Sequence, residues 1–218
     1  MEKDRFTPID LSTWDRCEYF SHYYNHAVCS FSITVNMDIT RIYTGVKQRE
    51  MRLYPVLLWW IATAANRFQF MRFNHDEQGR IGYFDAVHPS FTYMPAGSDR
   101  YNVLWCEYSP QFRTFYDRCL QVMACYNAQK LFPLPPSPKN TFDISALPWM
   151  DFTAFNLNLY KADTWLPPII TTGKLIKENG LVKLPVSLQI HHAVCDGFHA
   201  SQFYAALQEL ADQFGTWQ

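Results

Sequence analysis

Between residues 182 and 192 apolar and polar side chains take turns. Val182, Leu184, Val186, Leu188 and Ile190 share one face, and His192 continues it. Lys183, Pro185, Ser187, Gln189 and His191 take the other. A period of two predicts a strand with its apolar face toward the core. Past Asp196-Gly197 the period lengthens, and Phe203, Leu207, Leu210 and Phe214 fall on one side of a helix. Upstream, residues 169–177 make the partner strand of a hairpin turned at Asn179-Gly180. Residues 27–39 alternate as another strand, with Val28, Ser30, Ser32, Thr34 and Asn36 opposed by Cys29, Phe31, Ile33, Val35 and Met37.

Helices are predicted over 14–24, from an Asp38 cap to about residue 50, and from Tyr54-Pro55 to about residue 68. A fourth begins at Ser109-Pro110, where Phe112, Tyr116, Leu120 and Met123 make a core-facing stripe. Residues 79–84, 90–94 and 102–108 read as strands between turn residues, as do 142–145 and 152–159. Residues 1–13 form an extended arm. The proline-rich stretch 133–140 is a loop, because proline cannot donate to a ladder. Strands resume directly after it, so it divides no domains. Interspersed strands and helices predict an α/β fold: a two-layer sandwich with a mixed β-sheet packed by helices, in a single domain over residues 1–218.

A chain of 218 residues can bury a core of that size. Its formal net charge of −1 gives no reason to expect a nucleic-acid surface. The 17% aromatic content suits a large core with an apolar ligand pocket or a subunit interface, and leaves the choice between them open. Residues 56–65, the most apolar run, are too few to span a bilayer and read as a buried helix. Six scattered cysteines without CxxC pairs, and no secretory pattern at the start, predict a reduced, cytoplasmic protein.

An imidazole ending an apolar strand face is partly desolvated, which favours the neutral form that a general base needs. The same placement also suits a core-edge histidine satisfied by a carbonyl. His191, His192, Cys195 and His199 suggest zinc at first sight, but adjacent strand residues face opposite ways and cannot readily share an ion; no metal is expected. Cys195, at a strand-to-helix turn, reads as a small apolar filler rather than a nucleophile.

His191, His192, Asp196 and Gly197 spell His-His-x-x-x-Asp-Gly. The longer run QIHHAVCDGFH, with SALPW at 145–149 and PIIT at 168–171, resembles chloramphenicol acetyltransferase, and the likeness runs from about residue 6 to 210. It implies a CoA-dependent acyltransferase fold and transfer of acetyl from acetyl-CoA, a co-substrate, to a hydroxyl of chloramphenicol. It also implies a homotrimer with active sites between subunits. By position, His192 matches the family's base, Ser145 its oxyanion-stabilising serine and Thr171 a threonine acting through an ordered water. Asp196 and Arg16 match a structural ion pair, expected to be buried. Tyr23, Cys29, Phe31, Tyr101, Phe132, Phe155, Leu157 and Ile169 match pocket-lining positions. Arg52, Tyr54 and Lys174 match CoA contacts. Arg52 stands where a lysine is common, Leu175 replaces a stacking tyrosine, and Asp143 replaces a frequent asparagine. No GxSxG elbow surrounds Ser145, which speaks against a Ser-His-Asp triad. Dihydrolipoyl acyltransferase cores and condensation domains share the motif, and a non-catalytic drug binder is the reading from another class.

Overall fold

The computed structural model describes residues 5–125, 136–159 and 164–217. In chain order the elements are β1 (Phe6–Pro8), α1 (Cys17–Ser21), a π-helical turn (His22–His26), β2 (Ser30–Asp38), α2 (Thr40–Gln48) and α3 (Leu53–Asn66). A 3-10 turn (Gln69–Met71), β3 (Phe73–His75), β4 (Ile81–Phe84), β5 (His88–Tyr93), β6 (Asn102–Trp105) and α4 (Phe112–Ala124) follow. The last part holds β7 (Thr141–Ala146), β8 (Ile169–Thr172), β9 (Ile176–Glu178), β10 (Leu181–His191), α5 (Gly197–Asp212) and a closing 3-10 turn (Phe214–Thr216).

The main sheet runs β2-β10-β8-β7-β5-β6, with β9 also paired to β10. β5, β7 and β8 are mutually parallel, while β10 is antiparallel to β2 and β8. A small antiparallel sheet, β1-β4-β3, stands apart. Helices α2, α3, α4 and α5 pack against the main sheet, touching β10, β5, β6 and β2 respectively. This is the mixed two-layer arrangement that the interspersed periodicities predict.

Residues 56–65, too short for a bilayer, lie inside α3, and all of them but Thr63 are buried. Two polar handles are satisfied there: Trp60 Nε1 donates to the Leu207 carbonyl at 2.8 Å and Trp59 Nε1 to Ser109 at 2.9 Å. No helix among the described residues is long and apolar enough to cross a membrane. At the hairpin, Asn179 and Gly180 take φ of 51° and 78°, the left-handed pair that a two-residue turn requires.

Three expectations change. Residues 152–159 form no strand. Their backbone pairs with side chains of β10 instead: Leu157 N donates to Gln189 Oε1 at 2.7 Å, Gln189 Nε2 to the Leu157 carbonyl at 2.6 Å, and Ser187 Oγ to the Phe155 carbonyl at 3.0 Å. The strand expected over 169–177 is broken between β8 and β9. There Gly173 lies so close to Pro185 that a Cβ would meet it at 3.1 Å. Third, both faces of β10 are buried from Pro185 to His191, because the 152–159 segment covers the side read as polar. β3, which the sequence reading did not single out, is too short for an alternation to show.

Candidate active site

β10 carries the chain to His191, one residue short of the expected end, and His192 sits in the turn that follows. Its backbone N–H still donates to the Cys29 carbonyl of the β2 approach at 2.9 Å. The two histidines part company here. His191 is 3% exposed, its ring lies 5.8 Å from that of Tyr24, and its Nδ1 accepts from Ala193 N at 3.1 Å. His192 is half-buried. Its Nδ1 lies 3.0 Å from the Cys195 carbonyl. A carbonyl only accepts, so Nδ1 carries the hydrogen and the neutral ring keeps its lone pair at Nε2.

Aromatic rings fix the plane of that imidazole. Tyr23 stacks on it at 3.9 Å and 5°, and Phe31 meets it edge-on at 5.2 Å. Tyr23 belongs to the π-helical turn, whose wider winding is a frequent mark of functional sites. Its neighbour Tyr24 pins that turn, stacked on Phe20 at 4.8 Å with its hydroxyl 2.9 Å from His75 Nε2. Cys29 and Ile169 meet beside Gln189, His191, Leu159 and Trp165 around a cleft of about 270 Å³. Tyr23, Cys29, Phe31 and Ile169 thus gather near the histidines.

Asp196 caps α5, its Oδ1 accepting from Phe198 N at 3.1 Å and His199 N at 3.2 Å. Arg16 Nη1 reaches Oδ2 at 3.2 Å, so the expected pair is present. It is not buried: the side chains are 24% and 34% exposed, and water shares their solvation. A shorter contact joins Asp196 Oδ1 to His199 Nδ1 at 2.7 Å. Burial acts to raise the Asp196 carboxyl, but hydrogen bonds from the His199 side chain and backbone outweigh it. With the charges of His199 and Arg16 they hold the carboxyl below its usual range. Sequence reasoning gave His199 no role once zinc was set aside, although its i, i+3 spacing from a capping aspartate was a usable signal. Burial pushes the Cys195 thiol up to about 12, in keeping with a filler rather than a nucleophile.

Ser145 lies elsewhere. It pairs with Thr171 in the β7–β8 register, and Thr171 pairs with Ser187 on β10. From Ser187 to His192 is five residues, about 16 Å along the strand, with about 10 Å more across two strand spacings. One chain therefore does not bring Ser145 and His192 together. Ser145 and Thr171 lie near the C-terminal ends of parallel β5, β7 and β8, and other expected residues collect there. Tyr54 hydroxyl donates to the Thr92 carbonyl at 2.8 Å, and burial pushes that phenol well above its ordinary value. Thr92 Oγ1 accepts from Ala146 N, next to Ser145, at 3.4 Å. Arg52, at the start of α3, and Lys174, after β8, are exposed cations; Tyr101 is exposed beside the first residue of β6. Phe155 and Leu157 lie on the segment along β10. Phe132 lies outside the described residues.

The sequence pattern of the family described as chloramphenicol acetyltransferase matches residues 4–208. A chloramphenicol acetyltransferase of Clostridium butyricum is 40% identical over 213 residues, covering 97% of both chains. One of Clostridium perfringens is 39% identical over 98% of both, and one of Vibrio anguillarum 40% over 94% of both. Among solved structures, a chloramphenicol acetyltransferase superposes with a TM-score of 0.87 at 21% identity, covering 95% of this chain and all of that one. The cubic core of a pyruvate dehydrogenase complex superposes at 0.62 and 18%, covering 89% of this chain and 86% of that one, a likeness of fold alone. With the histidine, its tethered Nδ1 and these full-length relatives together, the chain belongs to the chloramphenicol acetyltransferase family and is an acyltransferase.

Proposed function

We propose that the protein transfers an acetyl group from acetyl-CoA directly to a hydroxyl of chloramphenicol, with His192 as general base. The observation that carries this reading is the His192 ring, with Nδ1 given to the Cys195 carbonyl and Nε2 left for a substrate proton. A neutral alcohol attacks a thioester poorly. Nε2 takes the hydroxyl proton as the oxygen adds to the thioester carbonyl. The negative oxygen of the tetrahedral intermediate accepts a hydrogen bond from the Ser145 hydroxyl, a contribution of about 3 kcal/mol. Thr171, opposite Ser145 in the sheet, supports it through an ordered water. Collapse expels the CoA thiolate, which recovers the proton from Nε2, and no acyl-enzyme forms.

Tyr23, Cys29, Phe31, Tyr101, Phe132, Phe155, Leu157 and Ile169 line the acceptor pocket in this reading. Arg52, Tyr54 and Lys174 meet CoA; the two exposed cations at the strand ends suit its phosphates. The separation of Ser145 from His192 within one chain favours a site completed by a second copy in a homotrimer. Trp149, Met150, Leu157 and Trp165, each at least 42% exposed, offer apolar surface for that contact. The test incubates protein and acetyl-CoA with chloramphenicol, dihydrolipoamide or no acceptor and measures free CoA by chromatography. CoA release only with chloramphenicol is expected. Release with dihydrolipoamide alone, or none with any acceptor, would refute the reading.

A further inference from the structure

His199 follows Asp196 by three residues, on the first turn of α5. That spacing returns its ring to the helix start. A carboxylate only accepts, so the 2.7 Å contact is a donation from His199 Nδ1, closer than the 3.2 Å contact from Arg16. The His199 side chain is 21% exposed, and its ring meets buried Phe70 edge-on at 5.1 Å. His199 thus ties Asp196 to the core, while Arg16 ties it to the approach to α1.

What depends on Asp196 is the peptide before it. The Cys195 carbonyl and the Asp196 N–H share one rigid plane. That carbonyl holds His192 Nδ1. If Asp196 shifts, the plane turns and the imidazole loses its anchor. We propose that His199 is a positioning residue for the base: with Arg16 it clamps Asp196 and so fixes the Cys195–Asp196 peptide whose carbonyl orients His192. This rests on the acetyl-transfer reading above.

The test compares His199→Ala, His199→Asn and His199→Gln in the full-length protein, by kcat, by KM for both substrates and by thermal melting. The asparagine amide nitrogen falls where Nδ1 stands and can donate to Asp196. The glutamine amide falls near Nε2 and cannot. Misplacing a reacting group by about 1 Å costs up to about a hundredfold, so H199A and H199Q are expected to lose kcat roughly ten- to hundredfold at little-changed KM. H199N should recover to within about threefold of wild type on the same scale. Wild-type kcat in H199A, or a loss that asparagine does not repair, overturns the assignment. Should H199A fail to fold, equal kcat in H199N and H199Q overturns it. Wild-type protein without acetylation would instead sink the acetyl-transfer reading itself.

Discussion

Asp143 stands two positions before Ser145 on one face of β7, opposite Ser90 and Ile169. Burial pushes its carboxyl above the ordinary range, and a hydrogen bond with Ser90 only partly offsets that. The folded chain therefore holds this proton more tightly than the unfolded chain. The stability it contributes is complete below the ordinary carboxylate range and is lost as pH rises through the raised folded value. Asp143→Asn keeps the shape and removes the ionisation. Its melting temperature, relative to wild type, is expected to climb as pH goes from acid to neutral. A difference that stays flat with pH would show that no buried charge forms there. The sequence revealed Asp143 as a departure from a family pattern, and His192 and Asp196 through their motif. It did not reveal the burial of Asp143 or the grip of His199 on Asp196. Burial is built from distant segments, here β5 and β8, that no local spacing records.

Long elements were legible because their periods repeat enough times to be read. β10, α3, α4 and α5 stand within a few residues of where alternation and helical spacing place them. β3, with three residues, repeats nothing. The π-helical turn keeps a helical composition, so its extra width, which sets Tyr23 against His192, leaves no trace in the pattern. Residues 152–159 mislead for another reason. They are strand-like in composition, but their partners are the side chains of Ser187 and Gln189 rather than a ladder. That pairing makes an expectation. Gln189→Ala removes both contacts to the Leu157 backbone, while water can reach the exposed Leu157 groups instead. Global stability should fall by about 1 kcal/mol. Amide exchange should quicken chiefly over 152–159. Unchanged exchange there would mean that Gln189 does not hold the segment.

At the scale of the whole molecule, the sheet register decides how the site is assembled. Ser145 lies in the sheet and His192 in the turn just past β10, and five residues and two strand spacings part them. In the acetyl transfer proposed above, serine and base then come from different chains. Two crippled variants test this together. His192→Ala lacks the proposed base and should be nearly inactive. Ser145→Ala lacks the proposed oxyanion donor and should retain about a hundredth to a thousandth of wild-type kcat. Denatured together in equal amounts and refolded, they would form mixed assemblies of the proposed homotrimer. If each site takes its histidine from one copy and its serine from the next, random mixing makes both wild type at about a quarter of sites, and activity should return to about that fraction. If each chain builds its site alone, every site keeps one defect, and the mixture can only average its parents. Recovery far above both parents, lost again when the same variants are refolded separately, would place the base and the oxyanion serine on neighbouring chains.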